Sequence, residues 1–156
     1  MSAVVQLLYN LVLALWVGGI SIFTFIVTPV IFRSFGRDMA GMVVGKLFPV
    51  YFLYTFLLSV LALISFLASG PSPGKSARTW SLLLIALAII INIFVSFKLY
   101  PEIKRIKQEI PSFEAAQDSP LRKRFGQLHG ASATLNLILL ADGVALLVIS
   151  TVLRKQ

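Results

Sequence analysis

Residues 79–100 read TWSLLLIALAIIINIFVSFKLY, with Lys98 near the end as the only charge. Wound as an α-helix, a stretch of this length rises about 33 Å, enough to cross roughly 30 Å of hydrocarbon. An open strand of the same composition would leave its backbone groups unpaired in lipid, so a helix is required. Working outward, residues 4–32, 47–69 and 130–153 are equally long apolar stretches with no Lys or Arg inside them. The whole chain is 58% hydrophobic and 13% charged, with a mean hydropathy of +0.90. A soluble domain carries about 25% charged residues, so the outside of this chain must face lipid. The expected fold is all-α: an integral membrane four-helix transmembrane bundle, one transmembrane domain over residues 1–156. The first stretch has no basic leader and exceeds the 7–15 apolar residues of a signal peptide, so it is expected to stay as a span.

The connections are short. Residues 33–46 carry Gly36, Gly41 and Gly45, and Gly70-Pro71-Ser72-Pro73-Gly74 is a turn signal. Past residue 100, Ile103, Ile106 and Ile110 recur at helical spacing among Glu102, Lys104, Arg105, Lys107 and Glu109. That pattern predicts an amphipathic cytoplasmic extension of the third helix, ended by Pro111. Ser119-Pro120, with Asp118 just outside, predicts an N-cap and first helical residue. The fourth helix would then enter the membrane near His129. With four spans, one side holds Lys75, Arg78, Arg154 and Lys155, and the other holds the remaining ten basic residues. The positive-inside rule places those ten, and residues 33–46 and 101–128, in the cytoplasm, with both termini outside a cell's inner (plasma) membrane. The net charge of +8 clusters beside apolar spans, which suits anionic lipid and topology rather than nucleic acid.

Function in such a chain is sought in polar groups at membrane depth. Asp142 is the only acidic residue inside a span, 13 positions past His129 and so about 20 Å deep. An ionised carboxylate there costs at least about 2.5 kcal/mol, and no intramembrane Lys or Arg can pair with it. It stays protonated as a helix tie, binds a cation, or lines water. Ser59, Ser21 and the close-approach pair Gly18-Gly19 count to similar depth, with Trp16 somewhat beyond. Asn136 and Asn92 lie nearer the cytoplasm, about 10 and 12 Å in, matched for an interhelical hydrogen bond or for lining a path. Thr24 and Thr55 reach comparable depth.

His129, Ser132, Asn136 and Gly143 share one face of the fourth helix, while Asp142 lies about 120° from Asn136. Two such faces predict contact with a second subunit, hence a homo-oligomer. His129, beside Arg122, Lys123 and Arg124, suits an anion-attracting entrance, a proton relay or a plain interfacial histidine. One histidine and no cysteine cannot build the His- or thiolate-rich metal and haem sites of helical bundles, so neither metal nor cofactor is expected. No nucleophile–base pair, phosphate loop or carboxylate pair is present, and enzyme activity is not expected. Thr28-Pro29, Phe48-Pro49 and Tyr100-Pro101 cluster at the cytoplasmic side, as helix-end prolines or as kinks around a vestibule. Phe32, Phe35, Phe48, Tyr51, Phe52, Phe97 and Tyr100 read as an inner aromatic belt, and Trp80 as an outer anchor.

Several segments are familiar together: Leu15-Trp16-Val17-Gly18-Gly19, the run Lys46 to Phe52, Asn92 with Lys98-Leu99-Tyr100-Pro101, and the run Phe125 to Ser132 with Asn136. In these the chain resembles the transmembrane protein 205-like family, whose bacterial members are filed as a domain of unknown function. The resemblance implies a four-span protein; eukaryotic relatives are associated with platinum-drug resistance and membrane trafficking. It supplies no agreed transport or catalytic residues. The first span also resembles copper-resistance D-type and protoporphyrinogen-oxidase-type bundles, but it lacks the histidine their ligation would need.

The reading that follows is a pathway for an ion or small solute, lined by Asp142, Asn136, Asn92, Ser132 and His129. The rival is a non-transporting adaptor or lipid-interacting protein, whose basic face of Lys104, Arg105, Lys107, Arg122, Lys123 and Arg124 meets anionic lipid or a cytosolic partner.

Overall fold

The computed structural model describes residues 3–68, 74–113 and 119–152. Asp118, Arg154, Lys155 and the turn residues Gly70 to Pro73 lie outside the described residues. Four helices are long and apolar enough to cross a membrane: α1 (Ala3–Ser34), α2 (Arg37–Ala68), α3 (Lys75–Glu109) and α4 (Pro120–Thr151). Each carries buried residues at spacings of three and four. In α1 these are Tyr9, Leu13, Trp16 and Ile20; in α4 they are Leu139, Asp142, Gly143, Leu146 and Ser150. That repeat keeps one narrow stripe facing inward over many turns. Leu53, Leu57, Leu61, Leu83, Leu87 and Ile90 are among the many large apolar side chains left exposed. Only lipid can cover so much apolar surface, and the chain is a multi-pass membrane protein.

Neighbouring helices run antiparallel and pack in a ring, α1 on α2 and α4, α3 on α2 and α4. Lipid removes the hydrophobic drive between helices, so close contact and hydrogen bonds must hold them. One close approach is at Gly19, where a Cβ would collide with the ring of Tyr54. The bare backbone lets Tyr54 lie across α1 and donate to the Leu15 carbonyl at 2.6 Å. Gly18, read as the other half of this pair, has nothing within 4 Å of such a Cβ.

Residues 37–46 are helical, not part of a connection: α2 begins at Arg37, with Asp38 favourably placed in its first turn. Gly41 and Gly45 lie inside this helix, where tertiary contact with α3 outweighs their poor propensity. The extension of α3 runs to Glu109, and Ser119 caps α4 by accepting from the Arg122 N–H at 3.3 Å. Ile103, Ile106 and Ile110 are buried in the protein, so this stripe does not lie on lipid.

Pro120 sits at the start of α4, and the three prolines inside helices each leave a mark. In α1 a π-turn (Phe23–Val27) precedes Thr28-Pro29, and in α3 another (Val95–Leu99) precedes Tyr100-Pro101. Proline lacks an N–H and its ring crowds the carbonyl four residues back, so widening the turn before it relieves the clash. In α2, Pro49 cannot donate to the carbonyl of Gly45, and the Tyr100 hydroxyl does so instead at 2.9 Å. Tyr100→Phe should therefore cost about 1 kcal/mol in detergent unfolding. In a Pro49→Ala background, where an N–H returns to Gly45, it should cost a few tenths at most; equal losses in both backgrounds would refute this exchange.

Candidate functional site

The polar side chains inside the bundle form three tiers and an inner cavity. At the end away from the cavity, Gln6 Nε2 donates to Asn10 Oδ1 at 2.9 Å and to Ser150 Oγ at 2.8 Å, and Ser150 Oγ donates to Asn10 Oδ1. This tie between α1 and α4 went unread in the sequence, although Gln6 and Asn10, four apart in an apolar run, mark one helix face.

Six residues past Asn136, toward the Gln6 tier, lies Asp142, 5% exposed and facing the core. Neither of its carboxylate oxygens has a hydrogen-bond partner among the described residues, and neither does the indole N–H of the fully buried Trp16. Trp16 is close by: a Cβ on Gly143 would sit 3.4 Å from its Cδ1 and 3.0 Å from Val17 Cγ2. Ser59, at the depth read for Asp142, is fully buried and spends its hydroxyl on the Phe56 carbonyl at 2.7 Å. A buried acceptor and a buried donor thus stand unsatisfied on adjoining parts of the core, which is rare for polar groups inside proteins.

The third tier lies closer to the basic end. Tyr51 donates to Asn136 Oδ1, and Asn136 Nδ2 donates to Thr24 Oγ1 at 2.8 Å. One turn along α2, Thr55 Oγ1 donates to Asn92 Oδ1 at 2.7 Å, and Asn92 Nδ2 donates to the Ala88 carbonyl at 3.0 Å. The two amides are each taken up by a hydroxyl of α2 rather than by one another. Tyr51 and Thr55, four apart, make α2 the hub that reaches α1 and α4 on one side and α3 on the other. Tyr51 is buried and stacks on Phe23, while Phe48 and Phe52 pack with Tyr100, so these aromatics do more than anchor at an interface. Phe97 and Trp80 are exposed, as anchors would be.

Asp142 and Gly143 are buried in the chain itself and Asn136 is partly so. Both faces of α4 therefore turn into the bundle, and the 120° between them does not by itself present a surface to a second subunit. Ser132 is half-buried, and His129 stacks on Phe125 with ring centroids 5.8 Å apart.

Below the amide tier, α1 and α4 part. Packing of α1 on α4 is carried by its outer segment Ala3–Ile22, whereas Thr28–Ser34 packs on α2. A cavity of about 840 Å³ lies at this end, with Phe32, Phe48, Pro49, Tyr100, Phe125 and His129 among its lining residues. Its basic members are Arg37, Lys46, Lys104 and Lys107; none of the described lining residues is acidic. Lys107 donates to the carbonyl of Gly41. Of the other basic residues of this face, Arg105, Arg122 and Arg124 have their own partners. Glu102 accepts from Arg105 and Arg124 at 2.9 and 2.8 Å, and Arg122 donates to the Ser112 carbonyl and lies over the Phe113 ring. Lys123 is exposed. Beyond the apolar part of α2, the Ser112 hydroxyl and the Phe113 N–H donate to Asp38 at 2.6 and 2.7 Å. These bonds hold its carboxyl below the ordinary value, so the segment after α3 stays tied down until the pH falls beneath that value.

No curated protein and no solved structure matches the chain. A family model, a domain of unknown function (DUF4149), matches residues 11–112, about two thirds of the length. The match takes in most of α1 and the whole of α2 and α3, and leaves α4, with Asp142 and Asn136, beyond its end. This multi-pass membrane protein belongs to the DUF4149 family.

Proposed function

We propose that the bundle is a pathway for an ion or small solute, with Asp142 as its binding group. The observation that supports this is the pair of carboxylate oxygens, buried and unpartnered among the described residues, in a span that holds no other acid. An ionisable group kept at such a depth without a partner is costly, and a transported proton or small cation would satisfy it. His129, Ser132, Asn136 and Asp142 then succeed one another along α4 over about 20 Å, from the basic mouth inward. The Tyr51–Asn136–Thr24 hydrogen bonds stand between mouth and carboxylate, so passage requires that tier to part. Asn92 steadies the same tier through Thr55.

The count of four basic residues against ten supports a plasma-membrane orientation with both termini outside and the cavity facing the cytoplasm. Self-association, on this reading, uses the lipid-facing surfaces, since Asp142 is already covered. The resemblance to the transmembrane protein 205-like family adds no transport residues to it. Purified protein in liposomes should dissipate an imposed proton, Na⁺ or K⁺ gradient, and Asp142→Asn should slow this at least about tenfold. Liposomes that hold all three gradients as tightly as protein-free ones would overturn the proposal.

A further inference from the structure

We infer that the cavity at the basic end holds one anionic phospholipid from the adjoining leaflet. Three features support this occupant. First, charge is one-sided among the described residues: Arg37, Lys46, Lys104 and Lys107 line the cavity and no described carboxylate does. Of the described acids nearby, Glu102 is paired with Arg105 and Arg124, while Asp38, held by Ser112 and Phe113, offsets part of the charge of Lys107 and leaves the other three cations uncompensated by it. Lys107, half-buried, has the neutral Gly41 carbonyl as its hydrogen-bond acceptor among the described residues. Second, most of the wall is apolar, with Phe32, Phe48, Pro49, Ile103 and Phe125 among its residues. A free inorganic anion gains nothing from such a wall, whereas the glycerol backbone and upper acyl chain of a lipid do. The volume of about 840 Å³ is that of a site for a sizeable organic ligand rather than a small ion. Third, the cavity lies at the end of the bundle where Thr28–Ser34 of α1 packs on α2, among the basic residues that adjoin the apolar spans. Basic pockets between spanning helices at headgroup level are the setting in which anionic headgroups are recognised.

This inference does not rest on ion passage, and its test needs no flux. Native mass spectrometry of the full chain in a non-ionic detergent would be run with dioleoylphosphatidylglycerol, dioleoylphosphatidylcholine or inorganic phosphate. A one-to-one adduct is expected with phosphatidylglycerol, retained at least about tenfold better than phosphatidylcholine. Each basic side chain near a headgroup contributes roughly a factor of five, so Lys46→Gln with Lys104→Gln should weaken retention about 25-fold. Arg33→Gln with Lys123→Gln removes the same charge from the same end, outside the cavity lining, and should leave retention within about twofold. Equal retention of the two lipids would overturn the inference, as would equal losses in the two double variants. Displacement of phosphatidylglycerol by millimolar phosphate would make this a free-anion site and overturn the lipid as its occupant.

Discussion

Asp142→Asn is expected to yield a protein that is more stable than the parent and unable to pass ions. The two side chains have nearly the same shape, so the packing around position 142 is kept. What changes is a carboxyl with no hydrogen-bond donor for either oxygen, replaced by a neutral amide. The amide keeps one acceptor oxygen and adds N–H donors, so the gain comes from the buried charge that is removed, and it should raise stability by about 1–3 kcal/mol. In a chain of this size each kcal/mol moves the unfolding midpoint by about 2–4 °C, so a rise of several degrees is expected in detergent. The sign is what discriminates. Had Asp142 been a strut tying helices together, its loss would lower the midpoint by a similar amount. A fall in the midpoint with flux intact would sink the assignment of Asp142 as a binding group.

Gly143 gives the second large effect. Its Cα faces Val17 and Trp16, and even a Cβ would come within 3.0 Å of Val17 Cγ2 and 3.4 Å of Trp16 Cδ1. Trp16 is fully buried and has nowhere to retreat. Gly143→Ala should be close to neutral, because about 1 kcal/mol of added helix propensity offsets a shift of a few tenths of an ångström. Gly143→Leu cannot be absorbed in this way, since three further carbons would wedge α4 from α1; a loss of about 3 kcal/mol or more is expected. Size-exclusion profiles and unfolding of the two variants side by side would check this. A well-folded leucine variant at the parent's midpoint would show that α1 and α4 do not meet here.

The spans were legible in the sequence because bilayer thickness imposes a length and an apolar character that no soluble fold requires. The order of the polar residues along each helix was legible too, since rise per residue is fixed. Azimuth was not. Asn92 and Asn136 matched in depth, yet which way each amide points is decided by Tyr51 and Thr55 on a third helix, and hydroxyl-bearing side chains of α2 look the same in sequence whether they anchor or bridge. The helical residues 37–46 were hidden by Gly41 and Gly45, which mark loops in water but mark contact when a lysine and a tyrosine reach the backbone, as Lys107 and Tyr100 do. The cavity depends on α1 parting from α4, a tertiary event; the local trace of it was Thr28-Pro29, whose effect on direction no composition reveals.

The two π-turns carry a consequence for comparing this chain with its relatives. A π-turn closes its backbone bond over five residues instead of four, so each holds one residue more than an uninterrupted α-helix. A relative whose inner helices run straight would align with a one-residue gap inside 23–27 or 95–99, and its residues past the gap would be turned about 100° around the helix axis. Single-residue insertions and deletions within a span usually count as alignment errors. Here they would record which members of the family bend where this protein does.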